Sequence, residues 1–203
     1  MIRPIQKIVA VVPTVNEEEN IETSINLILK AFKKSNVKDY NILVVDSAST
    51  DKTREVVRKQ ITKNKNKVFL LKENKKSGLG SAYIKGMTYA FNKLNASHIL
   101  QFDADYSHDA TKIPTMVNLA KNNDLVIGTR YKKGGGIPKN WKFHRKLLSV
   151  AGNLFVRVCF LSTTITDWTG GFKIISKDIF DKALQLQAKD SQVLLKSYAF
   201  IKC

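Results

Sequence analysis

Cysteine is nearly absent: Cys159 and Cys203 are the only two in 203 residues. So few exclude a disulfide framework and fit a reducing compartment. Cys203 stands last, whereas a prenylation box needs three residues after its cysteine. No run approaches the ~20 apolar residues of a membrane-spanning helix. The apolar part of "MIRPIQKIVAVVPT" is too short, and too soon followed by acids, for a signal peptide. The expectation is a protein that is soluble or peripheral to a membrane. Acids are scarce as well, 17 Asp+Glu against 34 Lys+Arg, for a formal charge of +17. Such an excess favours an anionic partner (nucleic acid, a phosphorylated ligand or an acidic membrane), or else marks a lysine-rich solvated surface. Low-complexity sequence is missing too, and a 43% hydrophobic content suffices for one domain with a real core.

What the chain does have is a regular alternation. Short apolar, β-branched runs at 7–14, 40–47, 67–73, 97–102 and 124–130 read as strands. Helical spacing between them predicts helices over 17–35, 52–61, 78–94 and 110–123. In the first helix Ile21, Ile25, Ile28, Leu29 and Phe32 form the apolar stripe, with acids in the opening turn. Beyond residue 130 comes a Gly-rich, basic and aromatic stretch, "YKKGGGIPKNWKFHRK". A helix candidate at 147–162 follows, then a loop, short strand and helix over 166–187. Strand and helix in succession, with strands apolar on both faces, predict an α/β, Rossmann-like, mostly parallel sheet flanked by helices. The binding crevice of such a sheet lies beyond the carboxyl ends of its strands. Asp46, Asp103 and Arg130 each follow an apolar run and are expected to converge there. One domain, 1–203, is expected.

In "ILQFDADYSHDATKIP" two carboxylates stand at i and i+2 past a strand end. They repel unless a cation accompanies them. Mg²⁺ and similar hard ions use one or two carboxylates and complete their shell with water and substrate phosphate. No Cys or His ligand set accompanies them, so zinc is excluded. Turn or capping roles remain the alternative for the pair alone. His108 fits either a group supporting the carboxylates or the N-cap region of the next helix. Arg130 and Arg145 offer planar donor forks to phosphate oxygens. Gly78 and Gly80 allow close backbone approach to a ligand or simply start a helix.

Six blocks, "VVPTVNEEENI", "ILVVDSASTDKT", "KKSGLGSAYIKGM", "ILQFDADYSHDATKIP", "VIGTRYKKGGG" and "DWTGGFKI", occur in an order that resembles family-2 glycosyltransferases. Within that family the likeness is to enzymes of the dolichyl- or polyprenyl-phosphate mannosyltransferase type. It spans essentially residues 7 to 180.

The resemblance implies the GT-A fold, with a nucleotide-sugar-binding half over about 1–130 and an acceptor- and membrane-facing half over about 131–203. It implies that Pro13, Thr14, Val15 and Glu17 line the nucleotide pocket, Val15 replacing a more usual Tyr. It assigns base reading to Asp46, where Ser47 replaces a second Asp, and places Gly78, Gly80 and Ala104 around the donor. Asp103, Asp105 and Ser107 become the candidates for holding Mg²⁺ or Mn²⁺. Catalytic roles fall to Asp105, Arg130 and Arg145, and the acceptor phosphate to Arg130, Arg145 and Ser149. Asp167, Thr169 and Gly170 match a turn that shapes the acceptor side.

The implied reaction is an inverting transfer of a hexose, mannose from GDP-mannose foremost, to a polyprenyl or dolichyl phosphate. The implied location is cytoplasmic, peripheral on the cytosolic face of a membrane. Lys132, Lys133, Lys139, Lys142, Arg145 and Lys146, interleaved with Trp141 and Phe143, resemble an interfacial patch, each cation near anionic lipid contributing ~1 kcal/mol. Family members continue past the point where "KSYAFIKC" ends and many carry membrane spans or recruit a membrane-anchoring subunit, so the chain is expected to be truncated. Alternatives are a UDP-glucose or other nucleotide-sugar polyprenyl-phosphate transferase, or a weakly active nucleotide-sugar-binding subunit. Nucleic acid is not expected as a partner, since no recognition helix or aromatic RNA-binding motif is present.

Overall fold

The computed structural model describes residues 5–132, 135–136, 143–159 and 165–189, with side chains described from residue 147 in the fifth helix and up to residue 185 in the sixth. The strands are β1 (Lys7–Thr14), β2 (Asp39–Ser47), β3 (Val68–Glu73), β4 (His98–Gln101), β5 (Leu125–Ile127) and β6 (Lys173–Ser176). The helices are α1 (Ile21–Lys34), α2 (Thr53–Lys63), α3 (Leu79–Lys93), α4 (Ile113–Ala120), α5 (Phe143–Cys159) and α6 (Lys177–Lys189).

All six strands form one sheet in the order β3-β2-β1-β4-β6-β5. β1 pairs in parallel with β2 and with β4, and β2 with β3. β6 enters antiparallel between β4 and β5. The sheet is therefore mixed but mostly parallel, as the alternation of elements predicts.

Period-two alternation along β1 divides its side chains between two cores. Ile8, Ala10 and Val12 pack with α1 residues Ile21, Ile25, Ile28 and Phe32 and with Ile113 and Met116 of α4. Val9 and Val11 face the other way, onto Ala82, Tyr83, Met87 and Ala90 of α3 and Phe180 of α6. Two-sided burial is why the strand is apolar at successive positions. α3 lies unusually close to the sheet: a Cβ on Gly86 would stand 2.5 Å from Val11 Cγ1 and 2.7 Å from Val45 Cγ2.

Several boundaries differ from the sequence expectation. α1 begins at Ile21 rather than residue 17, because Glu17 O accepts from both Asn20 N (3.1 Å) and Ile21 N (2.9 Å) in a preceding turn. The expected helix at 110–123 divides into a 3₁₀ turn, Ala110–Lys112, and α4. β5 stops at Ile127, and after the Gly128 N to Phe172 O bond (2.8 Å) the chain leaves the sheet. Arg130 thus sits in the following turn, not at the strand end. α5 begins at Phe143, ahead of the predicted 147.

Candidate active site

The Asp103–Asp109 loop follows β4 and is pinned from several sides. Phe102, 1% exposed, closes the core beneath it and donates its N–H to Val11 O (3.2 Å). Ser24 of α1 donates to Ala104 O at 2.9 Å, which buries Ala104. Tyr106 has a left-handed φ of 58° and donates its hydroxyl to Asn20 O at 3.2 Å. The backbone thereby reverses between the two carboxylates and the helix that follows. Asp109 caps the 3₁₀ turn, accepting from Thr111 N at 2.9 Å and Thr111 Oγ1 at 2.6 Å. His108 is thereby freed from the capping role.

His108 instead belongs to the carboxylate site. Its ring stacks on Phe172 with centroids 4.9 Å apart and meets the edge of Phe102 at 5.4 Å. Nδ1 accepts the backbone N–H of Asp103 (3.0 Å), and Nε2 lies 3.5 Å from Asp103 Oδ2. Burial pushes the imidazole pKa down, outweighing the attraction of Asp103 and Asp105. The neutral tautomer that fits carries its proton on Nε2, toward the carboxylate. On the other oxygen, Tyr83 of α3 donates its hydroxyl to Asp103 Oδ1 at 2.5 Å. Gly171 closes against the same group: an added Cβ would stand 3.3 Å from Asp103 Oδ2 and 3.4 Å from His108 Cε1. Asp105 is exposed, its Oδ1 accepting from Ser107 N at 3.0 Å.

Asp103, Asp105, Ser107 and His108 line a cavity of about 790 Å³ together with Arg130, Lys132 and Thr169. Lys112, just before α4, and one stripe of that helix, Thr115, Met116 and Leu119, supply part of its wall. Arg130 is clamped there. Its Nε donates to Asp167 Oδ2 and an amino group to Asp167 Oδ1, both at 2.8 Å, with a further bond to Thr169 Oγ1 at 2.9 Å. Asp167 is fully buried. Burial pushes its carboxyl pKa up, but hydrogen bonds from Arg130 and the Arg130 charge hold it below the usual carboxylate range. The same bonds raise the guanidinium pKa. The expected convergence therefore holds for Asp103 and Arg130, and it recruits Thr169 and Gly170 from the loop before β6.

Asp46 does not line this cavity. It is fully buried near the end of β2, paired through Oδ1 with Arg54 Nε of α2, while Oδ2 has no hydrogen-bond partner. Ser49 donates its N–H to the same Oδ1 at 3.3 Å. Pro13 and Thr14 end β1, both buried, and Thr14 Oγ1 donates to Val45 O at 3.4 Å. Val15 is 39% exposed. Glu17 donates its N–H to Thr53 Oγ1 (2.8 Å) and Asn16 to Ser49 Oγ (3.0 Å), so the β1 and β2 loops are cross-braced. Gly78 starts α3, and Gly80 lies in its first turn, where an added Cβ would meet nothing within 4 Å. None of these residues lines the cavity described above. Sequence reading missed Glu73, buried at the end of β3 and bonded to Ser47, Ser77 and Lys85. Burial raises its pKa, and those bonds and the Lys85 charge bring it below the ordinary value.

α5 is built inside out. Asn153, 4% exposed, donates to Thr166 O (2.7 Å) and accepts from Trp168 N (2.8 Å). Ser149 and Tyr131 share a hydroxyl bond at 2.8 Å. The polar side of the helix is thus fastened to the two loops that carry Arg130 and Asp167. Its apolar residues point outward: Leu148 is 71% exposed, Phe155 70% and Val158 62%. The side chains of Arg145 and Lys146 at the start of α5, with Phe143, lie outside the described residues, as do Lys133, Lys139, Trp141 and Lys142. Among the described residues no helix is long and apolar enough to cross a membrane.

No group of three or more His, Cys, Asp or Glu able to hold a metal occurs among the described residues. The Asp103/Asp105 pair, with the Ser107 hydroxyl beside it, instead suits a hard divalent ion whose shell is completed by water and ligand phosphate.

The family model described as "Glycosyl transferase family 2" matches residues 9–184. An undecaprenyl-phosphate mannosyltransferase of Micrococcus luteus is 32% identical over 194 residues, 96% of this chain and 74% of that protein. A polyprenol monophosphomannose synthase of Mycolicibacterium smegmatis is 30% identical, covering 98% of this chain and 71% of its own length. A dolichol-phosphate mannosyltransferase of Pyrococcus furiosus is 34% identical over 86% of this chain, which spans 47% of that protein. Among solved structures, a glucosyl-3-phosphoglycerate synthase of Mycobacterium tuberculosis, in complex with Mn²⁺, UDP and phosphoglyceric acid, superposes with a TM-score of 0.61 at 18% identity. A mannosyltransferase of Pyrobaculum calidifontis, in complex with GDP-Man and Mn²⁺, gives 0.57 at 20%. The chain covers 57% and 47% of those two structures and shares their fold.

Proposed function

The chain belongs to glycosyl transferase family 2, and on that premise we propose that it transfers a hexose, mannose from GDP-mannose first, to a polyprenyl phosphate with inversion at the anomeric carbon. The observation that carries this reading is that Asp103, Asp105, Arg130 and Thr169 line one and the same cavity. The names of the curated relatives support the lipid phosphate and the mannosyl group.

Asp103, Asp105 and Ser107 would hold Mg²⁺ or Mn²⁺, which would offset the charge growing on the departing diphosphate. Arg130 stays cationic beside Asp167 and presents positive charge to the same space. Lys112 and Lys132 extend that charge along the wall. A phosphate monoester is largely dianionic at neutral pH, its second pKa lying near ~6, so the attacking oxygen needs no strong base. His108 is not placed for that task, because Nδ1 already accepts the Asp103 N–H. Asp46 and the braced β1 and β2 loops are assigned to the nucleoside, and Ser149 and Arg145 to the acceptor phosphate.

A lipid acceptor must be met at a bilayer. The outward face of α5, which contains no acidic residue, and the +17 charge suit an anionic membrane surface. The same features support a peripheral position on that surface, with or without an anchoring subunit.

The test is formation of a sugar–lipid from a polyprenyl phosphate, with GDP-mannose and UDP-glucose compared side by side in Mg²⁺ and in Mn²⁺. GDP-mannose is expected to yield product with wild type and none with Asp105→Ala. Preference for UDP-glucose would move the reading to a glucosyl donor. Equal turnover by Asp105→Ala would remove the metal assignment, and donor binding without turnover would favour a binding subunit.

A further inference from the structure

We infer that Tyr83 is a positioning residue, holding Asp103 in the orientation that receives a divalent ion; this rests on the metal reading above. Tyr83 belongs to the stripe of α3 that faces the sheet, with Ala82, Gly86, Met87 and Ala90, and it is 4% exposed. A position of that kind accepts Leu or Phe with no polar atom to satisfy. Here the ring is seated in the core while the hydroxyl reaches the end of β4 and donates to Asp103 Oδ1 at 2.5 Å.

The second oxygen is met from the opposite layer of the fold. His108 Nε2 stands 3.5 Å from Oδ2, and the His108 ring is backed by Phe102 and Phe172, both members of the core on the other side of the sheet. The Asp103 N–H, bound to His108 Nδ1, fixes the backbone of the same residue. Asp103 is therefore hydrogen-bonded through Oδ1 from one face and has the His108 ring beside Oδ2 on the other. Asp105 contrasts with it, being exposed, with the Ser107 N–H as its one hydrogen-bond donor among the described residues.

This asymmetry has a chemical meaning. An ion that binds by few protein ligands loses affinity steeply when a carboxylate must be ordered at the moment of binding. Groups that hydrogen-bond a ligating carboxylate fix its direction and keep it acceptor-ready. Tyr83 donates one hydrogen bond to Oδ1, and a carboxylate oxygen retains a further lone pair for the cation. A purely structural role, tying α3 to β4, would give the same contact but no dependence of metal affinity on the hydroxyl.

The experiment compares wild type, Tyr83→Phe and Asp105→Ala. Mn²⁺ is titrated in the presence of GDP and free ion is read by electron paramagnetic resonance, alongside thermal unfolding in EDTA. Tyr83→Phe keeps the buried ring and is expected to unfold near the wild-type temperature. Its Mn²⁺ affinity should fall by ~10–100-fold, the range for groups that support a metal ligand. In turnover, the KM for Mn²⁺ should rise by a similar factor while kcat at saturating Mn²⁺ stays near wild type. Unchanged Mn²⁺ affinity in Tyr83→Phe, with Asp105→Ala weakened, overturns the positioning role and leaves the metal site standing. Identical Mn²⁺ binding by all three proteins overturns the metal reading and this inference together.

Discussion

Arg130 and Asp167 meet in a two-pronged ion pair across 37 residues of sequence, and the backbone N–H of Arg130 adds a third bond to the same carboxylate at 3.1 Å. Removing the charge from Asp167 takes the fully buried, bidentate carboxylate away from the Arg130 guanidinium. Asp167→Asn is expected to destabilise the protein by about 3 kcal/mol, read as a shift of the urea midpoint at neutral pH. The pH dependence follows from the direction of the shift. Asp167 has its folded pKa below the ordinary value of 3.8, so its stabilisation is complete above the unfolded pKa and is lost as pH falls through the folded one. Wild type should therefore lose stability steeply on acidification below about pH 4, and Asp167→Asn should show a shallower loss over that window.

Gly171→Ala tests the packing against Asp103. The new methyl would sit 3.3 Å from Oδ2 and 3.4 Å from the His108 ring, tight enough that one of them must move. Metal-dependent turnover is expected to fall ~10-fold with little change in melting temperature. Wild-type activity in this variant would mean that the loop yields freely.

Arg54→Ala leaves Asp46 fully buried with neither oxygen paired to a cation. The expected cost is about 3–5 kcal/mol, measured by chemical denaturation, and Arg54→Lys should recover part of it. A change under 0.5 kcal/mol would show that water reaches Asp46 once the guanidinium is gone.

Phe155→Glu with Leu148→Glu tests the outward face of α5. Both side chains are at least 70% exposed, so folding and nucleotide binding should be unaffected. Each apolar side chain buried in a bilayer contributes about 1.5–3 kcal/mol, so co-sedimentation with phosphatidylglycerol vesicles should fall by two orders of magnitude or more. Equal sedimentation of variant and wild type would assign membrane contact elsewhere.

What the sequence reveals is what period and composition encode. The two-sided burial of Val9–Val12, the helical stripe from Ile21 to Phe32 and the carboxylates after β4 are local patterns, and each lies where its neighbours predict. Three features depend on distant partners and leave no local trace. Asp46 gives no local sign that Arg54, in the first turn of α2, is its ion-pair partner. Tyr83 is indistinguishable from any core aromatic on α3 until its hydroxyl is found against Asp103. The direction of β6 is equally silent, since the four residues "KIIS" fit a parallel or an antiparallel strand.

That last strand has a consequence for how the molecule assembles. Among the described residues β5 pairs with β6 alone, and β6 begins only at Lys173, long after β5 ends at Ile127. Contacts so far apart carry a loop-closure cost before they return any stabilisation. While the chain is being synthesised, β1, β2 and β3 can zip together early, whereas the turn bearing Arg130 has no scaffold until "KIIS" slides in beside β4. β1, β2 and β3 are therefore complete first, and Arg130 is locked home last.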